Sequence, residues 1–191
     1  MKTGRIIVIS APSGSGKTTL CKRLLKDDKD LVVSTSVTTR KLRRGEKNKR
    51  DYIFISENKF RDYRARGMLL EWAGVFGRFY GTPKEYVDKK LSAGKDVLLV
   101  IDVQGAFKVK KIRPSAALIF IMPPSLGELK ERLLKRKSDG PGEIKLRLKI
   151  AKREMAMAKR YDHIVVNDDF NKALRSLKGI IGSYRTKGVE L

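Results

Sequence analysis

The chain is poor in the residues that redox and metal chemistry need. It has one cysteine, Cys21, one histidine, His163, and one tryptophan, Trp72. A lone cysteine excludes an internal disulfide and fits a reducing compartment. His163 has no companion at metal-ligand spacing, so no zinc-type cluster is expected and a structural role is assigned to it. Cys21 is read as a small packed side chain on the first helix, and Trp72 as packing. Long apolar runs are missing too. The run nearest the N-terminus, Ile6 to Ile9, is too short for the core of a signal peptide, and no later stretch approaches a membrane span. The expected location is the cytoplasm. Negative charge is scarce: 21 Asp and Glu stand against 44 Lys and Arg, a formal net charge of +23. Such a field attracts polyanions, which raises nucleic acid as a partner. The basic residues are spread along the whole chain, however, many at helix-surface spacing as in KRLLKDDK and LRLKIAKREMAMAKR, where a solvated face is the simpler reading. No nucleic-acid-binding motif accompanies them, and nucleic acid is not expected as the main partner.

What is present is an alternation of apolar runs and amphipathic stretches. With 41% hydrophobic and 34% charged residues in 191, the chain is globular and of a length for one domain. Arg5–Ser10 is predicted as a buried strand and Thr18–Lys26 as a helix, followed by a strand over Leu31–Ser36. From Val37 to about Thr82 the texture changes to Arg, Gly and aromatics, with short strands at Tyr52–Ile55, Met68–Trp72 and Val75–Tyr80 and a helix capped by Ser56. Then come a helix near Lys84–Leu91, a strand Val97–Asp102, a helix near Gln104–Lys111 and a strand Ala117–Met122. Ser125 caps a helix to about Arg136, and Lys137–Gly142 is predicted as a flexible loop. A helix Glu143–Lys159, a strand His163–Val166 and a helix near Asn171–Tyr184 follow. Strands apolar on both faces, alternating with helices, predict a three-layer α/β domain around a parallel sheet. Residues 37–82 would be an insertion in that domain.

One segment carries a strong chemical signal. Ala11, Pro12, Ser13, Gly14, Ser15, Gly16, Lys17 and Thr18 fit G-x-x-x-x-G-K-[ST], with alanine in the first place, directly between a buried strand and a helix. In that setting successive backbone N–H groups turn inward around a β-phosphate, glycines permit the close approach, and the helix adds its positive end. Lys17 is expected to reach the β- and γ-phosphates and the Thr18 hydroxyl to coordinate Mg²⁺. The motif names ATP or GTP and leaves the reaction open.

The acceptor side decides. The chain carries S36-V-T-T-R40-K-L-R43-R-G-E-K-N-K-R-D-Y52, then L70-E71-W72-A, G77-R-F-Y80-G81-T82, I101-D102-V-Q-G and V165-V-N-D-D169. With these motifs it resembles the guanylate kinases over almost its whole length. The resemblance implies a P-loop fold with a GMP-binding insertion (about 37–82), a core (1–36 and 83–191) and a mobile lid (about 132–147). It also implies phosphorylation of GMP, and of dGMP, to GDP by Mg-assisted in-line transfer from ATP, in a monomer or homodimer. By resemblance, Ser36, Arg40, Arg43, Tyr52, Glu71, Tyr80, Thr82 and Asp102 form the GMP site. The chemistry suits guanine: a carboxylate such as Glu71 accepts from N1–H and the 2-amino group, and Ser36 and Thr82 can donate to O6. Arg40 and Arg43 suit a phosphate dianion, with Tyr52 and Tyr80 as further donors. Lys17, Arg40, Arg132, Arg136 and Arg147 are the implied catalytic cations, the last three on the lid; Asn167 and Asp168 are implied near the adenine. Asp102 could also reach Mg²⁺ through water. No general base is needed, because the attacking phosphate oxygen is already anionic. Two positions depart from the family pattern: Val100 stands where an aspartate is frequent, and Lys137 where a glycine is frequent. The competing readings are a catalytically dead module that binds a protein in the GMP groove, a kinase for a sugar phosphate, and the basic nucleic-acid binder already weighed.

Overall fold

The computed structural model describes residues 3–43, 45–75, 77–135 and 140–186. In chain order its elements are β1 (Ile6–Ser10), α1 (Lys17–Asp27), β2 (Leu31–Val33), β3 (Val37–Thr38), β4 (Ile53–Phe54), α2 (Glu57–Ala65), β5 (Leu69–Val75), β6 (Arg78–Pro83), α3 (Lys84–Ser92), β7 (Asp96–Val100), α4 (Val103–Ile112), β8 (Ala117–Met122), α5 (Leu126–Lys135), α6 (Pro141–Ala156), β9 (His163–Val166) and α7 (Phe170–Thr186). They divide into two compact units, Met1–Ile6 with Asp30–Ala116, and Ile7–Lys29 with Ala117–Leu191.

In the first unit β2 runs parallel to β7, Leu31 opposite Asp96. The residues leading into β1 are tied beside β7: Arg5 N donates to Asp96 Oδ1 at 2.8 Å and Val97 N to Arg5 O at 2.8 Å. Gly4 is needed there, since a Cβ on it would lie 1.9 Å from the Lys95 carbonyl oxygen. β1 continues into the second unit, where Ile7–Ser10 pair in parallel with Ala117–Phe120 of β8, and β8 pairs in parallel with β9. The sheet order is β2-β7-β1-β8-β9. All five residues of β1 are buried, the mark of a strand covered on both faces. A second sheet, wholly in the first unit, has the order β4-β3-β6-β5, with β3 parallel to β4 and the β5–β6 and β3–β6 pairs antiparallel.

Three expectations need correction. The run Val75–Tyr80, predicted as one strand, spans the β5–β6 turn, and Gly77 sits there at φ +70°. The strand predicted over Leu31–Ser36 stops at Val33 and resumes as β3 in the other sheet, because the chain leaves β7 after Ser34 N donates to Leu98 O. Pro141 and Gly142, predicted as loop, form the first turn of α6. Proline is tolerated at that first position, and Glu143 Oε2 accepts from Gly140 N. Lys137, and the rest of the predicted loop up to 139, lie outside the described residues. Ser56 and Ser125 cap as expected, accepting from Lys59 N and Glu128 N. Among the described residues no helix is long and apolar enough to cross a membrane.

Candidate active site

The phosphate-binding motif lies in the second unit. Ser10 ends β1, the loop turns at Gly14 (φ +98°) and Gly16 (φ +86°), and Lys17 opens α1. Both glycines hold backbone angles that other residues adopt only under strain. Space is tight as well. A Cβ on Gly16 would lie 2.3 Å from Asn167 Nδ2, and one on Gly14 would lie 3.0 Å from Leu129 Cδ1 on α5. Leu129 and Leu133 pack with Ile144, Leu148 and Ala151 of α6, so the two helices flanking the segment 136–139 form one apolar body against which the loop rests.

Asn167, just past β9, is buried and makes three bonds. Its Nδ2 donates to Ser15 O at 2.7 Å, its N to Met122 O at 2.8 Å, and its carbonyl accepts from Arg132 Nη2 at 3.1 Å. Arg132 also pairs with Glu128 one turn earlier. Arg147 Nη1 donates to Ser13 Oγ at 3.2 Å. Arg132, Arg147, Asn167 and the loop residues Ser13–Gly16 are thus gathered together, whereas Asp168 is exposed, accepts from Asp169 N and faces Lys172 at 3.8 Å. Arg136 lies outside the described residues. Thr18 is exposed at the start of α1. Burial pushes the Cys21 thiol up to about 11 against the pull of Lys17, which leaves it a neutral packing group. His163 stacks edge-on with Tyr184 of α7, a structural setting.

The predicted acceptor residues all lie in the first unit, in two groups. Glu71 on β5 is 5% exposed and accepts a 2.6 Å bond at Oε1 from the Thr82 hydroxyl of β6. Its other oxygen faces the start of α4: a Cβ on Gly105 would lie 2.6 Å from Oε2. Asp102 caps that helix, its Oδ1 accepting from Gly105 N at 2.8 Å. Burial raises the Glu71 carboxyl, the Thr82 bond opposes, Asp102 adds to the rise and Lys108 opposes, leaving it at about 7. Val100 ends β7, two residues before Asp102.

The second group surrounds Arg40. Its guanidinium makes a two-pronged pair with Glu46, at 2.9 Å and 2.8 Å, and lies 5.1 Å and 5.5 Å from the ring centres of Tyr52 and Phe54. Tyr80 meets Tyr52 edge-on at 5.9 Å and also interacts with Arg40. The Arg43 side chain is exposed while its N–H donates to Glu46 Oε2 at 2.8 Å. Ser36 is half-buried, its carbonyl accepting from Ile53 N. Sequence reasoning missed three residues. Glu46 could have been found as the only acid between Arg40 and Arg50. Gly105 and Lys108 gave no signal beyond the Gln-Gly pair and one more surface lysine.

A family model described as guanylate kinase matches residues 3–184. The guanylate kinase of Caldanaerobacter subterraneus subsp. tengcongensis is 46% identical over 180 residues, covering 94% of this chain and 87% of that protein. That of Clostridioides difficile is 42% identical over 187 residues, covering 98% and 91%. The crystal structure of guanylate kinase from Anaplasma phagocytophilum superposes with a TM-score of 0.80 at 35% identity, over 97% of this chain and 88% of that one. The match runs through both units and through every motif named above, and the chain belongs to the guanylate kinase family.

Proposed function

We propose that this chain transfers the γ-phosphoryl group of ATP to GMP, giving GDP and ADP. The observation that carries the reading is the buried Glu71 carboxylate, aligned by Thr82 and fronted by a bare glycine, in the segment that also holds the Arg40 cluster. A buried carboxylate needs a partner that donates to it. Guanine offers two adjacent donors, whereas adenine would set an acceptor against it and be rejected by orders of magnitude. The ribose contributes nothing to this reading, so dGMP is a second substrate.

Each group has a task. The loop amides, Lys17 and the α1 N-terminus bind the ATP phosphates, with Arg132, Arg136 and Arg147 adding charge where negative charge develops. Asn167 holds the loop carbonyl, and Asp168 lies toward the adenine. Arg40, Arg43, Tyr52 and Tyr80 orient the GMP phosphate as nucleophile, and Ser36 donates to guanine O6; Glu46 keeps the Arg40 fork in one plane. Residues 37–82 serve as the acceptor-binding insertion and about 132–147 as the lid of one catalytic domain that works in the cytoplasm. A Mg²⁺ ion suits the donor present: Thr18 offers a hard hydroxyl oxygen at the loop. Thr18 would hold the ion, and it would neutralise phosphate charge. The test is coupled ADP release with MgATP against GMP, dGMP, AMP, CMP and UMP, with Lys17→Ala as control. Turnover confined to GMP and dGMP, and lost in the control, is expected. Equal turnover with AMP would overturn the role given to Glu71.

A further inference from the structure

We propose that Lys108, on α4, is a positioning residue for guanine recognition: it fastens β5 beside Glu71 and supplies the positive charge that keeps this carboxylate ready to accept. The inference rests on the reading of Glu71 as the guanine contact.

Asp102, Gly105 and Lys108 follow each other at three-residue spacing, which puts them on one stripe of α4 and its cap. Gly105 lets the helix backbone come up to Glu71 Oε2, where a methyl group would collide at 2.6 Å. One turn further on, Lys108 Nζ donates to the carbonyl of Trp72, the residue after Glu71, at 2.6 Å. The same ammonium stands 4.5 Å from the centre of the Trp72 ring, and Arg64 of α2 stands 5.0 Å from that centre. Along β5 alternate residues face opposite ways. The peptide bearing Glu71 inward is therefore fixed by a cation holding the Trp72 carbonyl and ring.

Four influences set the state of the carboxyl. Burial is the largest effect and favours the neutral acid. Asp102 at the helix cap favours it too, while the Thr82 hydroxyl on β6 and Lys108 on α4 favour the carboxylate. Arg64 reaches Trp72. With the balance struck at about 7, loss of one of the two supports converts part of the population to the acid at neutral pH. The acid presents one O–H donor where the carboxylate has only acceptors, a poorer match to guanine's two donors, so the population that binds GMP well shrinks.

The test is the pH dependence of kcat/KM for GMP, with kcat and the KM for ATP measured alongside, in the full chain and five variants. Lys108→Met removes bond and charge, Lys108→Gln keeps a donor without charge, and Lys108→Arg keeps both. Lys111→Met removes the same unit of charge from an exposed position on the same helix, and Glu71→Gln removes the titrating group. For Lys108→Met and Lys108→Gln the acid limb is expected to move up by about half a pH unit, an approximately three-fold rise in KM for GMP on that limb. Their kcat at saturating GMP and their KM for ATP stay unchanged. Lys108→Arg keeps the original limb, as does Lys111→Met. A limb that moves no further in the Lys108 variants than in Lys111→Met overturns the proposal. If Glu71→Gln leaves the KM for GMP unchanged, the reading of Glu71 itself falls. If Glu71→Gln abolishes GMP discrimination while the Lys108 variants do nothing, that reading stands and only the role of Lys108 fails. Should Lys108→Met fold poorly, a ¹³C titration of the Glu71 carboxyl in Lys108→Gln reads the same shift directly, and an unmoved titration overturns the proposal.

Discussion

Glu71 is held where it costs the folded state free energy. Its carboxyl titrates at about 7 in the fold against an ordinary 4.5. Below 4.5 both folded and unfolded chains hold the proton, and no penalty exists. As pH rises from 4.5 the unfolded chain loses its proton first, so the folded state is progressively disfavoured. Above 7 the loss levels off at about 3 kcal/mol. This is the reverse of a salt-bridged carboxylate, whose contribution is lost in acid. Glu71→Gln keeps an acceptor for Thr82 and never ionises. It is expected to raise the melting temperature by several degrees at pH 8 and to change it little at pH 5, while GMP turnover falls at both. Thermal unfolding at the two pH values decides the matter, and equal shifts would show that ionisation is not the source. Arg40 and Glu46 are the contrasting pair. Each favours the charged state of the other, the guanidinium raised and the carboxyl lowered, so this pair stays ionised across the same range.

The phosphate-binding loop shows what a segment of sequence can and cannot disclose about its own shape. Gly14, Gly16, the buried strand before them and the helix after them are all legible from neighbours in the chain, and the structure has them as expected. The clamp on the loop is not. Asn167 reaches Ser15 O across 152 positions, and nothing near residue 167 points to residue 15. The sequence places it near the adenine only by likeness. The hairpin error has a different cause: Val75–Tyr80 contains enough aromatic and β-branched residues to pass as one strand, and Gly77 reads equally well as a strand glycine or a turn. Glu71, Thr82 and Arg40 are legible because their motifs are contiguous, whereas Gly105 acts only through the space it leaves. The clamp gives a prediction of its own. Asn167→Ala strips a buried carbonyl of its donor at a cost of about 1–3 kcal/mol. Asn167→Asp is worse, because a carboxylate would then face the carbonyl oxygen. Both should raise the KM for ATP, the aspartate variant more, and leave the KM for GMP near its original value. Initial-rate measurements with each nucleotide varied in turn separate the two effects. A matching rise in both KM values would mean that Asn167 supports the fold at large.

For the molecule as a whole the dominant fact is its charge. The excess of 23 positive charges is divided almost evenly between the two units, so neither unit alone carries it. Two opposed electrostatic contributions follow. Surface ion pairs such as Lys95–Asp30, Arg113–Asp88 and the Asp27 carboxylate shared by Arg23 and Lys178 favour the fold. Most of their side chains are well exposed, and each contributes little. Against them stands repulsion among cations that have no acid to meet, which opposes any compact state. Salt weakens both, and the sign of the net response shows which is larger. With cations outnumbering acids two to one, repulsion should win. The melting temperature is therefore expected to rise as NaCl goes from ~20 mM to ~500 mM, over which the screening length falls from roughly 20 Å to roughly 4 Å. Chloride is the right anion, because sulfate or phosphate would raise stability by exclusion and by binding at the loop. A fall in melting temperature over that range would mean that the pairs, few and exposed as they are, outweigh the field in which they sit.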